Sequence, residues 1–199
     1  MPNTSTMGPE LRSSQDPSPW VIRFASLIHE SGEVLDVACG SGRHSRLFLS
    51  RGNVVCAVDN DRARLDELHD AEGLTKVCAD LEAGPWPFSG RTFTGVVVTN
   101  YLWRPLLPHL IDAVAEKGVF IYETFAQGHE RIGAPRNPDH LLRPGELLGV
   151  VAGELTVVAY EYGGVPRPRP AIVERICAIR ANLSQLPGPI LAGPALPDG

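Results

Sequence analysis

Apolar residues in the first two thirds of the chain form short runs that alternate with stretches of helical spacing. β-Rich runs lie at residues 33–37, 53–58, 74–78, 94–99 and 118–124, and helical patterns at 18–32, 43–51, 61–70 and 106–116. The runs are apolar almost throughout, which is typical of parallel strands covered on both faces. This alternation predicts an α/β domain built on a doubly wound, Rossmann-like sheet with right-handed crossovers.

The alternation stops after the fifth run. Residues 125–143 show no clear period and contain several glycines and prolines, which predicts a long functional loop, and a short helix is predicted at 144–151. Two further β-rich runs, 155–162 and 171–181, are joined by a connector too short and too rich in proline for a crossover helix. The sequence therefore predicts a single sheet of seven strands, mostly parallel, that ends in a C-terminal antiparallel hairpin.

Length and composition describe one ordinary globular domain. The chain has 199 residues and a net charge of −5, and we expect a flexible arm at 1–17, a folded domain at 18–181 and a Pro/Gly-rich tail at 182–199. No apolar run approaches the length of a membrane helix, and the first residues do not have a signal-peptide pattern. A cytoplasmic protein without a membrane partner is expected, and its mild acidity offers no general field for nucleic acid.

The four cysteines predict neither disulfides nor a metal site. Cys39, Cys56, Cys78 and Cys177 form no C-x-x-C pair, and no histidine stands at metal-ligand spacing from them. Reduced thiols in the core are expected.

A glycine-rich turn follows the first predicted strand. The segment VLDVACGSGRH, residues 34–44, places Asp36 at the end of that strand, and Gly40-Ser41-Gly42 turns the chain into a helix. Ligands of open α/β sheets bind outside the carboxyl ends of the strands, and a helix start favours electronegative ligand atoms. The turn alone is also compatible with a tight connection that holds no ligand.

Two more acidic residues close the next two predicted strands. Asp59 lies 23 positions after Asp36, near the spacing at which a carboxylate accepts both ribose hydroxyls of an adenine nucleoside. Asp80 and its apolar neighbour Leu81 follow the third strand, where they could contact an adenine amino group and ring face. Each aspartate alone is often a turn or cap residue, but three at successive strand ends predict a nucleotide-like ligand.

These segments resemble the class I S-adenosylmethionine-dependent methyltransferases, whose first motif reads D/E-x-G-x-G-x-G. Residues 36–42, DVACGSG, match it with Ala38 in place of the first glycine, and LDVACGSGRHSRLFL is most similar to the small tellurite-resistance and thiopurine type. The resemblance covers about residues 20–181. It implies S-adenosyl-L-methionine as the cofactor, held at its methionine end by Asp36 and the turn of Ala38, Gly40 and Gly42, at its ribose by Asp59 and Asn60, and at its adenine by Asp80 and Leu81, with Asn100 and Tyr101 beneath the methionine portion.

A narrower resemblance links residues 100–106 and 122–148 to a bacterial subgroup with similar N-Y-L-x-R-P-L and E-T-F-A segments. The subgroup usually has His at the position of Trp103 and Asn at that of His129. Any role that the subgroup gives to these two side chains is therefore open in this chain.

Candidate acceptor-side residues follow the fourth and fifth strands, because an in-line methyl transfer requires the acceptor to face the methyl group. We predict Asn100, Tyr101 and Glu123 as catalytic candidates. Glu123 could instead anchor a nearby arginine, and two aromatic residues could be core residues under the loop. Substrate contacts are predicted for Trp103, Arg104, Phe125 and His129.

The leading hypothesis is a methyltransferase that acts on a small molecule, with the long loop closing over the substrate. Alternatives are a non-catalytic S-adenosylmethionine-binding protein, an NAD-dependent oxidoreductase, and an RNA-modifying methyltransferase. The last is weakened by the absence of an N/D-P-P-Y/F motif, and would use two arginine clusters: Arg167, Arg169, Arg175 and Arg180 on the hairpin, and Arg131, Arg136 and Arg143 on the loop. The sequence does not predict an oligomeric state.

Overall fold

The computed structural model describes residues 16–166 and 169–181, so nearly all of the expected arm and tail, and Arg167, lie outside the described residues. The strands of the described part are β1 (Glu33–Val37), β2 (Val54–Asp59), β3 (Leu74–Cys78), β4 (Phe93–Thr99), β5 (Val114–Phe125), β6 (Thr156–Val165) and β7 (Ala171–Ile179). The α-helices are α1 (Pro19–Phe24), α2 (Arg43–Ser50), α3 (Arg62–Asp66), α4 (Leu107–Asp112) and α5 (Glu146–Val151).

The strands form one sheet in the order β3-β2-β1-β4-β5-β7-β6. The first five pair in parallel, and β7 lies antiparallel between β5 and β6. The predicted sheet of seven strands with a C-terminal antiparallel hairpin is therefore confirmed. Because parallel strands share one direction, the carboxyl ends of β1 to β5 all lie at the same edge, called here the carboxyl edge.

Apolar side chains cover both faces of the sheet, which explains why its central strands read as continuous apolar runs. On one face, Trp20 of α1, Phe48 of α2 and Leu65 of α3 are buried against β1, β2 and β4. On the other face, the core includes Phe120 of β5 and Leu147 of α5. The two layers fix the strands rigidly and leave their carboxyl edge for the site.

The boundary between α4 and β5 differs from the sequence prediction of a helix to residue 116 and a strand from 118. The helix ends at Asp112, and Val114 already pairs with Phe93 of β4. The strand then bulges before Val119 rejoins the ladder, with Lys117 at φ 62°. Val114 and its alanine neighbours fit helical and strand periodicity equally well, so only the partner strand decides the outcome.

The predicted helices at 18–32 and 61–70 are shorter than expected. The first ends at Phe24 and continues as a 3₁₀ turn to Leu27, and α3 ends at Asp66. Cys39, Cys56 and Cys177 are buried free thiols, but Cys78 is exposed, so the expectation of a core thiol is wrong there. Its strand, β3, forms one side of the sheet, which leaves it less well covered.

Candidate functional site

The predicted cofactor residues of β1, β2 and β3 come together at the carboxyl edge. Asp36 belongs to β1 and is 1% exposed, and Asp59 is the last residue of β2 and is 8% exposed. Asp80 follows β3 by two residues, and Asn100 follows β4 by one. Neighbouring strand order therefore converts a spacing of dozens of residues along the chain into one continuous strip of polar groups.

The glycine-rich turn is held by the second aspartate. The backbone N–H of Gly40 donates to Oδ2 of Asp59 across 2.7 Å, and the N–H of Asp61 donates to Oδ1 across 2.9 Å. A carboxylate offers about four acceptor positions, so Asp59 can fix both loops and still accept from a ligand. Asn60, between these anchors, is exposed.

Three residues of the turn have left-handed backbone conformations: Ala38 at φ 50°, Gly40 at φ 58° and Gly42 at φ 80°. Glycine adopts this region without strain, whereas the alanine methyl adds some strain. Gly42 is further constrained by packing, since a Cβ there would lie 2.7 Å from the side chain of Leu68. Leu68 is a site-shaping residue that the sequence analysis did not identify, because it follows α3 and no motif marks it.

Asp36 is a buried carboxylate whose one hydrogen-bonding side chain is neutral. The hydroxyl of Ser45 donates to its Oδ2 across 2.6 Å. Burial raises the pKa of Asp36 to about 6, and the hydrogen bonds from Ser45 and the charge of Arg43 offset only part of this effect. Such a carboxylate is well suited to a cationic ligand group, which would supply the missing compensation.

Asp80 shapes the loop after β3. Its Oδ1 accepts from the N–H groups of Glu82 and Ala83, across 2.9 Å and 3.1 Å, and these hydrogen bonds lower its pKa. Leu81 is half-buried against the core and presents an apolar surface beside it.

Tyr101 carries a buried hydroxyl that has no hydrogen-bond partner among the described residues. Burial raises its pKa, and the negative charges of Glu82, Asp80 and Asp59 raise it further. These neighbours place the hydroxyl on the side of the predicted nucleoside residues. Its backbone is fixed by Tyr122, whose hydroxyl donates to the carbonyl of Tyr101 across 2.7 Å.

Asn100 stands at the exit of β4 in a left-handed conformation, φ 55°, with an exposed side chain. Its N–H donates to the carbonyl of Glu123 across 2.9 Å, so the ends of β4 and β5 are joined. The amide side chain is therefore presented at the edge by a firmly held backbone.

Glu123 is engaged on both oxygens. Oε1 accepts from the hydroxyl of Ser18 across 2.7 Å, and Oε2 pairs with Arg175 across 3.0 Å. Arg175 in turn pairs with Glu161 of β6. These contacts match the anchoring alternative for Glu123, and they leave it as a positioning group that holds the start of α1 against the carboxyl edge.

Ser18 and His44 are part of the same polar cluster and were not selected from the sequence as site residues. The N–H of Ser18 donates to Nε2 of His44 across 3.1 Å, while Nδ1 of His44 lies 3.4 Å from the hydroxyl of Thr99. Burial and the neighbouring Arg43 lower the pKa of His44 to about 3. The ring is therefore neutral at pH 7 and accepts from the backbone, which is a structural role.

Arg104 anchors the segment of residues 126–143. Its guanidinium binds both carboxylate oxygens of Glu146, across 2.7 Å and 2.9 Å, and donates to the carbonyls of Asp139 and Leu141, across 2.7 Å and 2.9 Å. Trp103, beside it, is half-buried against the core. The guanidinium is thus largely committed to the protein itself.

We predict that Arg104→Gln loosens this segment. The substitution removes the partner of a largely buried carboxylate and two further hydrogen bonds, so the free energy of unfolding should fall by about 2 kcal/mol. Limited proteolysis should show faster cleavage within residues 126–143. Arg143→Gln, at an exposed position of the same segment, is the matched control, and equal sensitivity of both variants would refute the anchoring role.

Phe125 and His129 form a stacked pair with ring centroids 4.3 Å apart. His129 is 4% exposed, and its Nδ1 accepts from the N–H of Ile172 across 3.3 Å. Its Nε2 lies 2.9 Å from the carbonyl of Ala134. Both ring nitrogens are engaged, so the side chain stabilises the segment, while Phe125 remains half-buried at the edge.

Within residues 16–166 and 169–181, no group of three or more His, Cys, Asp or Glu side chains is arranged to hold a metal ion. In the same part of the chain, no helix has the length and apolarity to cross a membrane.

Comparison with known proteins agrees with this geometry. Residues 34–117 match a family described as a methyltransferase domain, whereas no curated protein matches the chain in sequence. Among solved structures, TehB from Haemophilus influenzae is similar with a TM-score of 0.66 and 16% identity, over 81% of this chain and 61% of TehB.

Two further structures cover more of their own length. A TehB-like S-adenosylmethionine-dependent methyltransferase from Corynebacterium glutamicum has a TM-score of 0.61 and 17% identity, over 83% of this chain and 89% of its own. The glycopeptide N-methyltransferase MtfA, solved with S-adenosyl-L-homocysteine, has a TM-score of 0.60 and 17% identity, over 83% and 90%. At these identities the likeness is one of fold.

The domain match and the sheet order together place the chain among the class I S-adenosylmethionine-dependent methyltransferases. Within that class its fold is of the TehB type.

Proposed function

We propose that the protein binds S-adenosyl-L-methionine and transfers its methyl group to a small molecule. The observation that carries this proposal is the convergence of Asp36, the turn at 38–42, Asp59 and Asp80 on adjacent strand ends. A purely structural turn does not require three acidic residues at one edge. The oxidoreductase alternative is not favoured, because an antiparallel β7 between β5 and β6 departs from the dinucleotide-binding order.

The residues present fit such a cofactor. The buried carboxylate of Asp36 suits the ammonium of the amino-acid end, and Asp59 suits the two ribose hydroxyls. The unpartnered hydroxyl of Tyr101 lies on the adenosine side, with Asp80 and Leu81 beside the adenine position. The bound cofactor would supply an electrophilic methyl group on a sulfonium.

The chain's own contribution to methyl transfer would be positioning. The end of β4 is fixed by Tyr122 and by the bond between Asn100 and Glu123. The half-buried rings of Trp103 and Phe125 offer apolar, π-rich surface beside the sulfonium position, which favours a cation and excludes water. Holding donor and acceptor in line is sufficient for a nucleophile that carries no proton to remove.

The described arginines of the hairpin cluster support a small acceptor rather than RNA. Arg175 pairs with Glu123 and Glu161, and Arg180 pairs with Glu154, so their charges are balanced within the fold. An electrostatic RNA-binding surface requires exposed, unbalanced cations. We therefore place RNA second, to be tested by salt-dependent binding.

Thermal unfolding with three ligands tests the cofactor. S-Adenosyl-L-methionine and S-adenosyl-L-homocysteine, each at about 100 times the dissociation constant, should add about 2.7 kcal/mol and raise Tm by several degrees. NAD at the same concentration is the control and should have no effect. A shift with NAD alone would overturn the proposal.

Catalysis needs its own measurement. Transfer of radiolabelled methyl groups to panels of thiols, amines and RNA should show turnover with a small acceptor. Cofactor binding without transfer to any acceptor would favour the alternative of a non-catalytic binding protein.

A further inference from the structure

Three partly buried arginines lie near the carboxyl edge, and they differ in how their charge is balanced. Arg104 pairs with Glu146, and Arg175 pairs with Glu123 and Glu161; for both residues these contacts raise the pKa of the guanidinium. Arg43 has no ion pair within the described residues. Burial lowers the pKa of its guanidinium.

The present partners of Arg43 are weak acceptors. One terminal nitrogen donates to the hydroxyl of Thr99 across 3.4 Å, and the other to the carbonyl of Asp16 across 3.3 Å. Both distances are long for a charged donor, which normally reaches 2.7–2.9 Å with a carboxylate. The guanidinium therefore retains the capacity to bind an anion.

The two acids whose charges act on Arg43 are occupied by other groups. Asp36 accepts from Ser45, and Glu123 accepts from Ser18 and pairs with Arg175. Neither forms an ion pair with Arg43. An anion arriving at this point would thus find an arginine that the fold has not neutralised.

The position of Arg43 is set by the turn itself. It is the first residue of α2 and directly follows Gly42, and its side chain reaches the end of β4 at Thr99. The start of a helix carries a partial positive charge, which adds to the charge of the guanidinium. Asp36 lies on the other side of the same turn, so opposite charges flank it.

We propose that Arg43 binds the α-carboxylate of the cofactor, while Asp36 faces its ammonium group. A zwitterionic amino acid requires one cation and one anion close together, and these two residues supply them from the ends of β1 and α2. This assignment rests on the proposed function, because it presupposes an S-adenosyl amino acid in the site. It makes Arg43 the residue that distinguishes the complete cofactor from nucleosides that lack a carboxylate.

Truncated ligands test the assignment by isothermal titration calorimetry. S-Adenosyl-L-homocysteine has both charged groups, S-adenosyl-3-thiopropylamine keeps only the ammonium, and 5′-methylthioadenosine has neither. Arg43→Gln should weaken binding of the first by roughly 10- to 100-fold, the loss of a charge-assisted contact. It should leave the Kd values of the other two within about twofold of wild type.

Two further variants make the result specific. Arg62→Gln removes an exposed positive charge at the start of α3 and should leave all three Kd values unchanged. Arg43→Lys keeps the charge without the planar fork, so it should restore part of the affinity for S-adenosyl-L-homocysteine. Thermal unfolding of each unliganded variant checks that the fold is intact.

The possible outcomes separate the two proposals. Equal weakening of all three ligands by Arg43→Gln, or no weakening of any, would overturn the role of Arg43 while the cofactor assignment stands. Failure of the wild-type protein to bind any of the three would overturn the proposed function and this assignment with it.

Discussion

Asp36→Asn is expected to make the stability of the protein less dependent on pH in the acidic range. The pKa of Asp36 is raised by burial from 3.8 to about 6, so the folded protein binds this proton more tightly than the unfolded chain does. The stability that Asp36 contributes is therefore fully present below about pH 3.8 and is lost as the pH rises through 6. The difference amounts to about 3 kcal/mol.

The informative quantity is the difference in unfolding free energy between Asp36→Asn and wild type. It should shift in favour of the variant by about 3 kcal/mol between pH 4 and pH 7, and stay constant at higher pH. Urea unfolding at several pH values measures it. The comparison tolerates a constant offset, because the amide changes the hydrogen bonds with Ser45 at every pH.

The same substitution should weaken cofactor binding, since the ammonium group loses its counter-charge. We expect the Kd of S-adenosyl-L-homocysteine at pH 7.5 to rise by at least tenfold. Asp66→Asn, an exposed change on α3, is the matched control and should leave the Kd unchanged. A variant that binds as tightly as wild type would contradict the placement of the ammonium at Asp36.

Asp59→Ala is expected to have the second large effect, a loss of cofactor affinity of roughly 10- to 100-fold. The carboxylate is proposed to accept from two ribose hydroxyls, and it also accepts from the N–H groups of Gly40 and Asp61. Its removal therefore takes away a ligand contact and loosens the turn. Calorimetry with S-adenosyl-L-homocysteine measures the combined loss.

A deoxygenated ligand separates these two effects. The 2′,3′-dideoxy analogue of S-adenosyl-L-homocysteine has no ribose hydroxyls to donate, so Asp59→Ala should weaken its binding much less if the contact is direct. If the substitution weakens both ligands equally, Asp59 acts through the turn. Unchanged affinity for the natural ligand would refute the ribose assignment.

The sequence could predict the part of the site that depends on strand ends. Asp36, Asp59 and Asp80 each follow an apolar run, and parallel strands bring such positions to one edge without further information. The antiparallel hairpin was also predictable, because its connector is too short for a crossover. These inferences use local pattern and chain geometry only.

Other features depend on contacts between distant parts of the chain. The pairing of Arg104 with Glu146 and the bond between Ser18 and Glu123 join residues that no motif links. Leu68 limits the space at Gly42 only because the chain after α3 folds back over the turn. The exposure of Cys78 likewise depends on the position of β3 at the side of the sheet.

The anchoring of Ser18 gives the two ends of the described chain different surroundings. Asp16 and Ser18 contact Arg43, Glu123 and His44 at the carboxyl edge, whereas β7 ends at Ile179, paired with Val119 near the opposite edge. A purification tag or reporter joined ahead of Ser18 would be attached beside the proposed cofactor. For ligand-binding measurements, fusion at the carboxyl-terminal side is therefore the arrangement that leaves the entrance clear.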